Sequence, residues 1–373
     1  MKVLYFTRGF GPHDQRFVSA LLELGHEVIF LGLTAKRDGL TGSTFSNRVH
    51  IEDDLAMDGD PGWFDLIKLV RKTKETLRRI HPDVVHAGPI QKSALLVALA
   101  GYHPLVSMSW GSDLLMDARR GIGRWGAKLA LNRSDALVCD CQAVKERAQA
   151  LGMPSERIVV FPWGVDLSHF NPQGSAETRQ KLGWDSDFVL LSARMLEPIY
   201  GVDLLIKAFI QAAQRLPKLR LIMLGEGSQR TLIHDLLAEA GLEGRVHFAG
   251  MIASASLPDY YRSADLYISA SHSDGSSVSL LEAMACGLPS VVSNIPGNME
   301  WVKHGETGWS FADGATEELT QGIFTAVQHK DDLKSMGQKA RDVVEVRADW
   351  NKNFPKMSEA YQMAIEYANR RVM

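Results

Sequence analysis

Residues 266–293 read LYISASHSDGSSVSLLEAMACGLPSVVS, and their pattern decides the fold. Leu266–Ser269 is a short apolar run suited to a buried strand, Gly275 and its serine neighbours break it, and a helical pattern starts around Ser279. A second apolar run, Ser290–Ser293, follows. Strand, loop, helix, strand is the repeating unit of a parallel sheet, whose neighbouring strands must be joined by a crossover. The loop also carries chemistry, because unpaired N–H groups and the positive end of the helix dipole coincide at a helix start and favour an anion. Asp274 and Glu282, eight residues apart, bracket this anion site. Carboxylates repel phosphate, so their natural partners are hydroxyl groups. Ser279-Leu280-Leu281-Glu282 is equally a capping-box pattern, in which Glu282 serves only the helix's own amide, and spacing leaves both roles open.

The same alternation extends in both directions. Expected strands in the first half are Lys2–Thr7, Glu27–Leu31, Asp83–His86, Leu105–Ser109, Ala136–Cys139 and Arg157–Phe161. A new series then begins with Phe188–Ser192, Arg220–Leu224 and Val246–Ala249, and continues with Leu266–Ser269, Ser290–Ser293 and Gly308–Phe311. Between them, FPWGVDLSHFNPQGSAETRQ (residues 161–180) is punctuated by Pro162, Gly164, Pro172 and Gly174 and has no periodicity. Two α/β series imply two Rossmann-like domains. Open α/β sheets bind ligands beyond the carboxyl ends of their strands, so the expected active site is an interdomain cleft between two facing lobes.

Composition fits this class and excludes others. With 373 residues, 45% apolar and 23% charged, the chain is neither disordered nor a collagen-like or disulfide scaffold. A net charge of -3 gives no global field for a nucleic-acid partner. The three cysteines, Cys139, Cys141 and Cys286, form no zinc-like spacing, and a reducing cytoplasm is the expected setting. The run Val3–Phe6 is too short for a signal peptide, and no stretch reaches the ~18 apolar residues of a membrane span. Near-neutrality conceals an asymmetry, since residues 1–165 hold 21 basic against 18 acidic groups and the remainder 20 against 26. Part of the first-half excess lies on an expected helix carrying Lys68, Arg71, Lys72, Lys74, Arg78 and Arg79. Another part lies on Arg119, Arg120, Arg124, Lys128 and Arg133, with Ile122, Trp125 and Leu129 on an apolar side. That second segment is either a solvated helix face or a surface for an anionic membrane, which would make the protein peripheral on the membrane's inner face.

The acidic-x7-Glu pattern followed by Ala-Met-Ala-Cys-Gly-Leu-Pro resembles the signature of the retaining nucleotide-sugar glycosyltransferases of family four, whose fold is GT-B. Other stretches resemble the same family along nearly the whole chain: Gly25-His26-Glu27-Val28, Trp110-Gly111-Ser112-Asp113, Gly164-Val165-Asp166, Gly201-Val202-Asp203-Leu204-Leu205-Ile206 and Val246-His247-Phe248-Ala249-Gly250. The resemblance implies an acceptor-binding domain at residues 1–165, a nucleotide-sugar domain at 166–349 and a final helix within 350–373 crossing back to the first domain. It implies that Glu282 holds the ribose hydroxyls and that Asp274, one methylene shorter than the family's usual glutamate, bonds a donor-sugar hydroxyl. Backbone amides of Gly275, Ser276, Ser277 and Val278 would lie near the sugar and diphosphate.

Arg194 follows the run FVLLSA and can neutralise a departing diphosphate. In the family such an arginine is followed by Lys and then Gly; here Arg194-Met195-Leu196-Glu197-Pro198-Ile199-Tyr200-Gly201 lacks the lysine and its glycine comes one residue late. Tyr200 is expected to donate one hydrogen bond without bringing charge. Gly9 and Gly11, after the first strand, allow close backbone approach and unusual dihedrals, and the family places such a loop against donor phosphates. His13 is a candidate for acting on the acceptor hydroxyl or a phosphate, with a local hydrogen-bonding role as its alternative. Trp110 stands where many relatives carry His and can stack on a sugar face, Asp113 is a candidate for an acceptor hydroxyl, and Met251 and Ile252 for base contacts. Arg230, where a dinucleotide fingerprint needs a small residue, is a candidate phosphate contact.

These readings converge on transfer of a sugar, with retention, from a nucleoside-diphosphate sugar (UDP-linked by expectation) to a hydroxyl acceptor such as a lipid-linked or envelope glycan. No metal and no further cofactor is expected, because the nucleotide-sugar is a substrate and no Asp-x-Asp motif occurs. Two alternatives share the architecture: a weakly active relative that only binds nucleotide-sugar or glycan, and a two-domain sugar-nucleotide epimerase. A nicotinamide dehydrogenase fits least.

Overall fold

The computed structural model describes residues 1–34, 48–56 and 65–372. The chain divides into two compact units, one comprising Met1–Phe161 with Phe354–Met373 and the other Pro162–Asn353. The corresponding sequence boundaries were 165/166 and 349/350.

The first unit is built on seven parallel strands, β1 (Lys2–Thr7), β2 (Glu27–Gly32), β3 (Val49–Glu52), β4 (Val84–Ala87), β5 (Leu105–Met108), β6 (Ala136–Cys139) and β7 (Ile158–Val160). Their order is β3-β2-β1-β4-β5-β6-β7. β3 escapes the sequence reading because VHIE, at the sheet edge, offers only four residues, two of them polar. The second unit has β8 (Phe188–Ala193), β9 (Leu219–Leu224), β10 (Val246–Gly250), β11 (Leu266–Ser269), β12 (Ser290–Ser293) and β13 (Gly308–Phe311), ordered β10-β9-β8-β11-β12-β13. Both sheets therefore reverse direction between their first and fourth strands. That reversal is the Rossmann switch point, where ligands of such sheets bind.

Side chains alternate between faces along each strand, and helices bury both faces. In β8, Leu190 joins one apolar cluster while Val189 and Leu191 join the other. Leu4 and Phe6 of β1 share a cluster, and the intervening Tyr5 is also fully buried. The helix Lys356–Val372 belongs to the first unit, where Tyr361 Oη hydrogen-bonds His86 Nδ1 at 2.9 Å and Tyr367 lies under the Arg157 guanidinium. Burial drives His86 down to about 3, so it is neutral there. Among the described residues no helix is long and apolar enough to cross a membrane.

Candidate active site

The switch point of the second unit lies between β8 and β11, and the loops leaving these two strands carry the expected donor residues. Arg194 directly follows β8. Asp274 lies in the loop after β11, and the helix Val278–Ala285 starts four residues later with Ser277 as its N-cap. The Arg194 guanidinium donates to Asp274 Oδ2 at 2.6 Å, to Ser277 Oγ at 2.8 Å and to Ser279 Oγ at 3.2 Å. Its side chain is only 10% exposed and that of Asp274 18%, so this is a largely desolvated pair. Burial opposes the guanidinium's charge, but the Asp274 carboxylate, together with the nearby Tyr267 and Tyr200, outweighs it and Arg194 stays protonated. The carboxylate expected to face a donor sugar thus meets Arg194 in this structure.

Glu282 is half-buried, and its Oε2 accepts the hydroxyl of buried Tyr261 at 2.7 Å. The helix starts at Val278, so the residue three beyond its N-cap is Leu280 and the capping-box geometry does not arise. Glu282 points from the second turn instead. Gly275, Ser276 and Ser277 are buried and Val278 is half-buried. The Trp301 indole N–H donates to Ser276 Oγ at 3.4 Å, and Tyr267 Oη hydrogen-bonds Ser279 Oγ at 2.8 Å. Gly297 packs so tightly under this turn that a Cβ would sit 2.2 Å from the Gly275 carbonyl oxygen. Any side chain there would push the turn out of place.

Tyr200 is not a solitary hydrogen-bond donor. Its ring lies beneath Arg194, with the guanidinium carbon 4.0 Å from the ring centroid. Met251 follows β10 at the edge of the sheet and is 63% exposed. The exposed Arg230 guanidinium pairs with Glu226, four residues earlier in the loop that precedes its helix.

In the first unit, β1 is followed by Gly9, Phe10 and Gly11 before the helix Pro12–Glu23. Gly11 is extended (φ -127°, ψ -176°), and a Cβ on it would make only an ordinary contact at 3.6 Å. The loop therefore does not exploit an unusual dihedral at Gly11, contrary to expectation. Asp14 shapes it: one carboxylate oxygen accepts Gly11 N–H at 2.9 Å and the other accepts Tyr5 Oη at 3.2 Å. Burial lifts the Asp14 carboxyl to about 6 against these stabilising hydrogen bonds. The exposed His13 ring lies 5.7 Å from half-buried Trp110, which in turn meets the edge of Phe17. Trp110 and His13 are thus brought together, but Asp113 is not available to an acceptor. It is buried and accepts from Ile90 N–H at 2.9 Å, Ser109 Oγ at 2.6 Å, Leu114 N–H at 3.0 Å and Trp110 N–H at 3.2 Å. It ties the loops after β4 and β5 together, a role that corrects the acceptor assignment.

Sequence reasoning missed Tyr261, Tyr267, Trp301 and Gly297 as supports of the 274–282 segment. Tyr261 is 21 residues from its partner, and nothing local in sequence marks the contact. Only Pro296-Gly297, following β12, carried a turn signal.

Comparison with known proteins follows the same two-part division. Residues 174–343 match the family described as glycosyl transferases group 1, and residues 9–169 match glycosyltransferase family 4. A D-inositol 3-phosphate glycosyltransferase of Thermobispora bispora is 29% identical over 261 residues, covering 66% of this chain and 60% of that protein. Mannosylfructose-phosphate synthase of Agrobacterium fabrum is 35% identical over 178 residues, covering 45% of this chain and 39% of the synthase. The chain thus spans less than two thirds of the length of these curated relatives. Among solved structures, Anabaena HepE in complex with UDP-glucose superposes with a TM-score of 0.80 at 23% identity, covering 97% of this chain and 99% of that one. Sucrose-phosphate synthase from Thermosynechococcus elongatus gives a TM-score of 0.80 at 18% identity over 97% and 98% of the two chains. At such identities the likeness establishes the fold, GT-B with two Rossmann-like domains.

Proposed function

Because this chain belongs to glycosyl transferases group 1 in its second unit and glycosyltransferase family 4 in its first, we propose that it transfers a sugar from a UDP-sugar to a hydroxyl acceptor, with retention. One observation carries the reading: Arg194, Glu282 and the helix start at Ser277 gather around one switch point of the second sheet. In this reading Glu282, oriented by Tyr261, takes the ribose hydroxyls. The turn amides of residues 275–278 and Arg194 take the diphosphate, stabilising the negative charge that grows on it as the glycosidic bond breaks. The developing phosphate oxygen accepts the acceptor's proton, so no enzyme base is required. Trp110 stacks on the acceptor's apolar face, with His13 beside it.

Turnover is expected to survive EDTA. Complete loss restored by manganese would overturn that part. The whole reading is tested by incubating the chain with UDP-, GDP-, ADP- and dTDP-sugars and candidate acceptors: a UDP-sugar should raise the melting temperature most and yield an α-linked product from an α-configured donor. Transfer with inversion, or donor interconversion without any acceptor, would contradict it.

The acceptor is proposed to be lipid-linked or an envelope glycan, reached from an anionic membrane surface. Support comes from the helix Gly121–Arg133, which leaves Ile122 71% and Trp125 56% exposed, with Arg119, Arg120, Arg124 and Lys128 all exposed around them. Exposed apolar side chains ringed by cations suit the headgroup region. Binding to phosphatidylglycerol vesicles should weaken with salt and with neutralisation of Arg120, Arg124 and Lys128; binding indifferent to both would remove the membrane from the account.

A further inference from the structure

We propose that Tyr200 is a positioning residue for Arg194, acting through the face of its ring and not through its hydroxyl. This rests on the transferase reading for its catalytic consequence, but its geometric content stands separately. The Arg194 guanidinium is held at two of its three nitrogens, by Asp274 on one and by Ser277 and Ser279 on the other. Its buried Nε has no hydrogen-bond partner among the described residues. Contacts at the two terminal nitrogens leave the plane free to tip about the line joining them. The ring 4.0 Å below the guanidinium carbon blocks tipping in one direction, and its negative face attracts the cation in a site with little competing water.

The ring is itself fixed by its surroundings. Tyr200 closes the short turn Pro198–Tyr200, in which its own N–H donates to the Glu197 carbonyl at 2.9 Å. His272 N–H, in the loop after β11, donates to the Ile199 carbonyl at 2.9 Å. Gly201 then adopts a left-handed conformation (φ 57°) against Ala270, whose carbonyl oxygen would lie 2.2 Å from any Cβ. Tyr200 also packs against the apolar cluster that Leu190 of β8 joins. A turn closed on itself and held at two points to the end of the neighbouring strand thus presents a flat apolar surface to one guanidinium. A lysine at this position would add a second charge; a tyrosine instead sharpens the placement of the first. The consequence is that Arg194 is preset for charge that develops in the reaction, a contribution expected in kcat more than in KM.

The test uses the full chain with Tyr200→Phe, Tyr200→Leu and, should the leucine variant fail to fold, Tyr200→Met. Two readouts are needed. Steady-state transfer from the UDP-sugar should be kept within about twofold by Tyr200→Phe, while Tyr200→Leu or Tyr200→Met loses about tenfold, chiefly in kcat. Equal loss in Phe and Leu would assign the effect to the hydroxyl, and equal retention would make the ring idle; either overturns the proposal. Independently of any substrate, the Arg194 Nε–H resonance of arginine-labelled protein, assigned with Arg194→Lys, should show an aromatic ring-current shift in wild type and Tyr200→Phe that disappears in Tyr200→Leu. An unchanged resonance in all three would refute the stacking. If wild type transfers no sugar, the transferase reading falls while the resonance still decides the role of the ring.

Discussion

Each unit has a strand–loop–helix segment at its switch point, one after β1 and one after β11, and the two treat a carboxylate in opposite ways. After β1, Asp14 turns inward to Gly11 N–H and Tyr5 Oη, and burial pushes its proton affinity up. After β11, Asp274 turns toward Arg194 and forms an ion pair. The difference follows from the neighbours: the β8 strand delivers an arginine to the switch point, whereas the two oxygens of Asp14 meet only neutral donors in these contacts. One loop is built as a self-contained scaffold and the other around a fixed charge. The second is the loop proposed to take the negatively charged donor.

The largest expected effect separates the two loops by function. Arg194→Ala should cost ~10²–10³ in transfer rate, as removal of a preorganised contact to developing charge typically does, while Asp14→Asn should change that rate little at neutral pH. Comparable losses in both variants would erase the distinction.

A second effect concerns pH and has a definite sign. The folded-state carboxyl of Asp14, at about 6 rather than 3.8, binds its proton more tightly than in the unfolded chain. Its contribution to stability is therefore complete below pH ~4 and declines as pH rises through about 6, by about 3 kcal/mol in all. Urea unfolding at pH 4, 5, 6 and 7 should show this decline in wild type and lack it in Asp14→Asn. A variant with the wild-type pH profile would place the titration elsewhere.

The smallest effect is at Trp110, whose contacts with Phe17 and His13 are edge-on or tilted. Trp110→Phe should lower stability by no more than about 1.5 kcal/mol, yet raise the acceptor KM measurably if the indole stacks on a sugar. An unchanged acceptor KM would leave Trp110 as packing alone.

Much of the fold was legible because parallel strands buried on both faces write themselves as apolar runs; only β3, a four-residue edge strand, lacks that signature. The site was legible where it depends on residue type and less so where it depends on placement. Whether Glu282 caps its helix turns on a shift of two residues, from Ser279 to Ser277, that spacing does not encode. Asp113 looked like a loop carboxylate open to ligand, and only three dimensions reveal four donors aimed at it. Tyr200 was read for its hydroxyl because the path of the five residues between it and Arg194 decides that the ring comes back beneath the guanidinium.

The central claim, that the second unit's switch point is the donor site, is tested most directly by calorimetric titration of the full chain with UDP, comparing wild type with Glu282→Ala. The account predicts saturable one-to-one binding to wild type, weakened at least about tenfold by loss of the charged contact to the ribose. Equal affinity in the two proteins would contradict it.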